Sequence, residues 1–305
     1  MKPGKVLEDV TPRSSETQYK DPRDKRCAPG KQFQEGSCLT LNGLIKMANA
    51  YNLDNDTDKN KCIQLYDGFE IVNPKKYKRY LLKEFKKKFS KCKDQRCWLK
   101  QSYTQYMNEE EFDIIGKNSF RPDGPNGQFE WLNTIHIEDT MKQYENAYKD
   151  FKFMGANPMD FDDLPSLGLK DLDYGLLKRE GKTKLGFIFN LDEHYKSGSH
   201  WVSMFADISK GNIYYFDSVG IVPDPRIRKL IRRICRYCQL AGIKKPNIGY
   251  NKVRHQFGGS ECGVYSINFI ERMLNGDNFN DICNNKVPDK EINKYRKEYF
   301  NNAIF

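Results

Sequence analysis

The stretch HQFGGSECGVYSINF, residues 255–269, decides how this chain is read. Gly258 and Gly259 loosen the backbone, and Val264, Ile267, Ile270 and Met273 then recur at helical spacing behind Cys262. The pattern predicts a buried helix that opens at Cys262 and runs to about Leu274. At the first turn of a helix, unpaired backbone N–H groups and the helix dipole favour negative charge, and the thiolate is the nucleophilic form of cysteine. A small buried cysteine without chemistry fits the same pattern. The assignment therefore needs companions elsewhere in the chain.

Thiol chemistry calls for a general base, most often imidazole. The sequence holds His136, His194, His200 and His255. His200 begins the alternating segment SHWVSMFADI (199–208), and the next strand candidate, NIYYFDSV (212–219), carries Asp217 near its end. Adjacent strands would bring imidazole and carboxylate together, and the carboxylate would fix the ring tautomer and stabilise the imidazolium. A hydrogen-bonded core histidine is the alternative for His200. His194 lies in a polar loop and reads as a surface residue, and His255 would point away from Gln256 along an extended segment. Gln256 offers a side-chain amide that can donate to an oxyanion together with the backbone N–H of Cys262.

The order His200-Trp201, Asp217, Gln256, Cys262-Gly263, with its separations, resembles the adenovirus-protease and ubiquitin-like-protease (SUMO protease-like) superfamily of cysteine peptidases. In papain-like enzymes the cysteine comes first. WLNT (131–134) is similar to that superfamily's Trp-Leu-Asn-Asp segment, and the resemblance spans roughly residues 128–280. It implies a triad of His200, Asp217 and Cys262, with Gln256 in the oxyanion hole. It also implies that Trp131 and Trp201 close over a Gly-Gly polypeptide tail, with Asn133 and Gly263 beside them on the substrate, and that no metal or cofactor is used.

Thr134 stands where SUMO-processing members carry an acid, which turns the reading away from a SUMO-like substrate. The segments CAPGKQFQEGSCLTLNGLIKMANAYN (27–52) and ERMLNGDNFNDI (271–282), followed by YRKEYF (295–300), resemble maturation proteases of large cytoplasmic DNA viruses such as African swine fever virus and mimivirus relatives. Those enzymes cut structural polyproteins and core precursors after small residues, often Gly-Gly. The implied function is a cysteine endopeptidase of virion maturation, located in the virion and host cytoplasm. A SUMO or ubiquitin-like deconjugating protease is the alternative. A third reading is an acyltransferase or a nucleic-acid-tethered interaction module on the same fold.

Composition sets the frame around this site. The chain has 305 residues and a mean hydropathy of −0.80, and it contains no apolar run near the roughly 18–20 residues that span a bilayer. Residues 1–26 lack the apolar core of a secretory signal and are expected to be a disordered lead-in. A helical, basic arm is expected over 27–115, with helices over LNGLIKMANAYN and PKKYKRYLLKEFKKKFSKC, the first capped by Ser37 or Thr40. Between Lys75 and Lys100 twelve Lys/Arg face two acids, so this one segment accounts for the whole formal charge of +10. Such a run is either a solvated face or a patch for nucleic acid or an acidic scaffold.

The protease core is expected over 116–305 as an α+β fold, a mixed central sheet flanked by helices. It would carry strands at 184–191, 199–208 and 212–219, a helix opened by Asp224-Pro225, and a strand over NIGYNKVRHQF (247–257). A final amphipathic helix is expected from Asp289. The nine scattered cysteines predict free thiols in a reducing compartment. CRYC (235–238) has no second pair at metal spacing and shares an apolar helix face with Leu230, Ile231 and Ile234, so it reads as core packing.

Overall fold

A computed structural model describes residues 22–66 and 73–303. The chain divides into two compact units, Met1–Arg121 and Pro122–Phe305. The division falls in the RPDGPNG loop, six residues later than the expected start of the core at 116. Ile115 and Phe120 lie in the apolar core of the first unit, and the Arg121 N–H donates to the Arg26 carbonyl, so residues 116–121 belong with the arm.

The first unit is built on helix α1 (Leu41–Asp54) and helix α2 (Pro74–Lys88). Thr40 caps α1, its hydroxyl accepting from the Gly43 N–H. Asn73 caps α2 ahead of Pro74, and Tyr77, Leu81, Leu82 and Phe85 bury one stripe against Leu44, Met47 and Trp98. Lysines fill most of the remaining face, but Lys78 is buried, and its ammonium donates to the Gln34 and Ser37 carbonyls. Of the expected disordered lead-in, residues 1–21 lie outside the described residues. Pro22–Lys25 instead forms a 3-10 turn, because the buried Asp24 carboxylate accepts from the Gln95 N–H.

The expectation of free thiols throughout is corrected here. Cys27 is bonded to Cys38 and Cys92 to Cys97, with Cα separations of 5.2 and 5.5 Å. Spacing statistics do not register such local approach, which the turns at 27–38 and 92–97 create. Cys62, Cys235, Cys238, Cys262 and Cys283 are free.

The second unit is a three-layer fold around one mixed sheet. Strands β1 (Phe151–Asn157), β2 (Lys184–Asn190), β3 (Trp201–Asp207), β4 (Asn212–Phe216) and β5 (Asn247–Tyr250) follow one another in space in chain order. The β1–β2 and β4–β5 pairs are parallel, and β2–β3 and β3–β4 are antiparallel. Side chains alternate across β3: Trp201 and Phe205 face one layer, Val202, Met204 and Ala206 the other. Both layers are apolar, which is why every residue of β3 is buried.

On the first face lie helix α3 (Thr134–Ala147) and helix α5 (Cys262–Leu274); on the second lies helix α4 (Pro225–Leu240). Asp224 caps α4 from ahead of Pro225, as its sequence predicts. Cys235 and Cys238 pack in the α4 layer. β5 ends at Tyr250, short of the expected run to Phe257, because the Asn251 amide turns the chain by donating to the Asp217 and Val253 carbonyls. The expected last helix is broken into Asp289–Ile292, a 3-10 turn at Asn293–Tyr295, and Arg296–Tyr299. Asn293 and Arg296 are drawn inward there, so a solvent-facing amphipathic helix does not form.

Candidate active site

Cys262 is the first residue of α5 and is buried in the layer between helix and sheet. Glu261 precedes it with helical dihedrals and makes no side-chain cap. Its carboxylate turns back instead to the Ser260 N–H and hydroxyl, at 2.9 and 2.8 Å. The helix end beside the sulfur is thus left without a capping side chain. Backbone N–H groups in such a first turn have no partner within the helix.

His200 and Asp217 meet because β3 and β4 are antiparallel neighbours, with His200 just ahead of one and Asp217 just past the other. His200 Nε2 lies 2.7 Å from Asp217 Oδ1, and Asp217 is almost fully buried. The carboxylate is fixed from behind: Oδ1 also accepts from the Val219 N–H and Oδ2 from the Ile221 N–H. With Nε2 engaged, Nδ1 is the ring nitrogen left without a role in the Asp217 pair. Burial alone would lower the His200 pKa. The hydrogen bond to Asp217 and the nearness of Asp217 and Cys262 outweigh it and raise the value to about 9. The imidazole therefore carries its proton at neutral pH.

Gln256 is buried and held at both ends of its amide. Its Oε1 accepts from the Ser218 hydroxyl at 2.6 Å and its Nε2 donates to the Gly258 carbonyl at 2.9 Å. A carboxamide NH2 has two protons, so one remains beyond the Gly258 bond. The Ser218 carbonyl also accepts from the His255 and Gln256 N–H groups, stitching the loop after Asp217 to the one that carries Gln256. His255 is buried with Nε2 against the Cys283 carbonyl, and burial holds its pKa below the ordinary histidine value. His194 pairs with Asp160 at the surface.

The two tryptophans lie in different surroundings. Trp131 is 49% exposed, whereas Trp201 is 5% exposed, packs in the same layer as Cys262, and donates its indole N–H to the Leu132 carbonyl at 2.8 Å. Leu132 in turn lies on Gly263, where an added Cβ would come within 2.9 Å of the Leu132 Cβ. Asn133 caps α3, accepting from the His136 N–H, and His136 Nδ1 accepts from the Asn133 N–H. The WLNT segment is therefore clamped to both β3 and the start of α5, with Trp131 at the rim.

Sequence reasoning did not find Ser218, Asn251, Glu261 or Arg296, which orient the residues above. Ser218 and Glu261 were signalled only by their position beside motif residues, and Arg296 only by lying in YRKEYF, with no sign of its burial. Among the described residues no group of three His, Cys, Asp or Glu side chains could hold a metal ion, and no helix is long and apolar enough to cross a membrane.

Residues 184–304 match the Ulp1 protease family, C-terminal catalytic domain, a span that includes His200, Asp217, Gln256 and Cys262. A protein named as a thiol protease in Acanthamoeba polyphaga mimivirus is 39% identical over 281 residues, 90% of this chain and 93% of that protein. The SUMO-1 cysteine protease of an African swine fever virus isolate is 24% identical over 196 residues, 59% of this chain and 71% of the relative. A crystal structure of the African swine fever virus protease superposes with a TM-score of 0.58 at 19% identity, covering 90% of this chain and 95% of that one. That structure shares the fold.

Proposed function

The chain belongs to the Ulp1 protease family of cysteine proteases, and from that premise we propose that it is a viral endopeptidase cleaving structural polyproteins or core precursors after Gly-Gly during virion maturation. The observation that carries the reading is the 2.7 Å pair of His200 and the buried Asp217 in the same unit as Cys262, the first residue of α5. The raised His200 pKa of about 9 keeps an imidazolium in that pair at neutral pH, a charge that favours the thiolate form of a neighbouring cysteine. The location in virion and host cytoplasm belongs to this proposal.

Cys262 Sγ attacks the scissile carbonyl carbon and the carbonyl electron pair moves onto oxygen. The Cys262 N–H and the second Gln256 amide proton stabilise that oxyanion. As the C–N bond breaks, His200 gives its proton to the departing amine and leaves a thioester. Water then attacks the thioester with His200 as base, releasing the acid and restoring the imidazolium–thiolate pair. Asp217 keeps the ring oriented throughout. Trp131 at the rim, Trp201 and Leu132 beneath it, Asn133 and Gly263 would shape a slot narrow enough to favour glycine.

A SUMO-like deconjugating activity is the second reading, supported by the SUMO-1 protease name of the swine fever virus relatives. Thr134, the first residue of α3, stands where that reading expects an acid. Wild type and Cys262→Ala are incubated with Gly-Gly-Xaa peptides and with SUMO- and ubiquitin-extended fusions, and cleavage is read by mass spectrometry. Cleavage of the peptides, lost in the variant, is expected. Cleavage of the folded fusions alone would give the second reading, and cleavage of neither set together with no labelling of Cys262 by a thiol probe would refute both. The exposed lysines of α2 add a tether for nucleic acid or an acidic scaffold to this proposal, visible as DNA binding that weakens steeply with salt.

A further inference from the structure

The backbone ahead of Cys262 is held from far along the chain. Arg296 is fully buried and is the bulkiest such side chain among the described residues. Its Nε donates to Asn293 Oδ1 at 2.9 Å and its Nη2 to the Ser260 carbonyl at 3.1 Å. Asn293 Nδ2 donates to Glu261 Oε1 at 2.9 Å. Glu261 grips the Ser260 N–H from its other oxygen. Both backbone polar groups of Ser260 are therefore fixed by one buried Arg296–Asn293–Glu261 chain. Gly258 leaves room for it, since a Cβ there would stand 2.6 Å from Glu261 Oε2.

The next peptide plane is fixed as well. The Glu261 carbonyl accepts from the Tyr265 N–H at 2.9 Å, which points it down the helix axis. A trans peptide sets its N–H opposite its C=O. The Cys262 N–H must then point out of the helix end, toward a bound carbonyl. Ser260 sets the entry to that plane, and Arg296 sets Ser260.

A buried guanidinium is strongly unfavourable unless its donors are matched. Here Nη1 is buried with no hydrogen-bond partner, so the network does not reach its own minimum cost. Burial lowers the Arg296 pKa, while the negative charges of Glu261 and Cys262 favour its charged form.

Resting on the reading of Cys262 as nucleophile, we propose that Arg296, acting through Asn293 and Glu261, is a positioning residue that aims the Cys262 N–H at the oxyanion. Its effect then falls on steps that form an oxyanion and spares those that do not. The test uses the full chain as wild type, Arg296→Lys, Arg296→Met and Asn293→Ala. Three quantities are read: kcat and KM on a Gly-Gly-Xaa peptide, inhibition by a peptide ending in glycinal, and alkylation of Cys262 by iodoacetamide. The aldehyde forms a hemithioacetal whose oxygen needs the hole, whereas alkylation displaces iodide and forms no oxyanion.

Arg296→Met is expected to lose about tenfold to 100-fold in kcat and in aldehyde affinity. KM, the alkylation rate and its pH profile should stay within about twofold of wild type, as appropriate for a group acting only on the oxyanion. Arg296→Lys should recover part of the loss and Asn293→Ala should reproduce it in weaker form. Should Arg296→Met fail to fold, Asn293→Ala, which removes the two links to Glu261 and Arg296 but leaves the guanidinium, carries the comparison alone. Alkylation falling in step with kcat would overturn the proposal, as would a change confined to KM or no change in kcat. A wild type that neither cleaves nor is alkylated at Cys262 would instead overturn the proposed function.

Discussion

Replacing Asp217 by Asn tests the ion pair directly, because it keeps the shape of the side chain and removes its charge. In the native site His200 is raised from 6.5 to about 9 against the pull of burial, with Asp217 the largest raising influence. At about 1.4 kcal/mol per tenfold change, that lift corresponds to roughly 3 kcal/mol of preference for the imidazolium. His200 is only 17% exposed, so solvent screens little of it. Losing most of it should lower kcat/KM at pH 7.5 about 100-fold.

The pH profile gives the sharper reading. The reactive pair exists only while His200 holds its proton, so wild-type kcat/KM should fall on the alkaline side with a midpoint near 9. In Asp217→Asn burial acts with less opposition, and that midpoint should drop by at least one pH unit. Peptide cleavage and iodoacetamide labelling, each measured from pH 5 to 10, report it independently. A variant whose alkaline limb stays near 9 and whose rate falls less than about threefold would refute the argument.

Stability should carry the same signature. A group raised in the folded state stabilises fully below its unfolded value of 6.5 and loses that contribution as pH rises to about 9. The gap in urea unfolding free energy between wild type and Asp217→Asn should therefore narrow from pH 6 to pH 10; a constant gap would contradict the assignment. Gly263→Ala sets a Cβ 2.9 Å from that of Leu132, so overpacking of about 1–3 kcal/mol should exceed the helix-propensity gain of about 1 kcal/mol. Urea unfolding should show a net loss together with a higher KM, and a stabilised variant would rule out the close approach. Trp131→Ala removes a half-exposed ring, so unfolding should shift by less than about 1 kcal/mol while KM for Gly-Gly peptides rises about tenfold. Unchanged KM would take Trp131 out of the substrate slot.

Much of this could be read before the fold was seen, for reasons visible in particular residues. Asp224-Pro225 marks the start of α4 because cap and fixed φ are local properties. The alternation in SHWVSMFADI marks β3 through the two layers it faces. His200, Asp217 and Cys262 were placed by local pattern because each lies beside a strand or helix end, whereas Gln256 lies in the loop after β5, where a strand was expected. β1 was missed: FKFMGAN pairs in parallel with a strand distant in sequence, and its register shifts around Gly155 at φ +99°. No local rule carries that pairing. Lys78 and Arg296 show the same limit from the other side. Each sits in a charged run that reads as solvated surface, and each is buried only because distant carbonyls receive its protons.

The Arg296–Ser260 bond also orders events during synthesis. The two residues are 36 positions apart, and at 5–20 residues per second the arginine is joined to the chain about 2–7 s after the backbone it holds. The contacts that follow it, from the Asn301 N–H to the Pro122 carbonyl and from Asn302 to Gly124, link the latest-made part of the unit to its earliest. Cys262 is therefore made before the arginine that holds the backbone ahead of it, and its support can form only once the last part of the unit has been added.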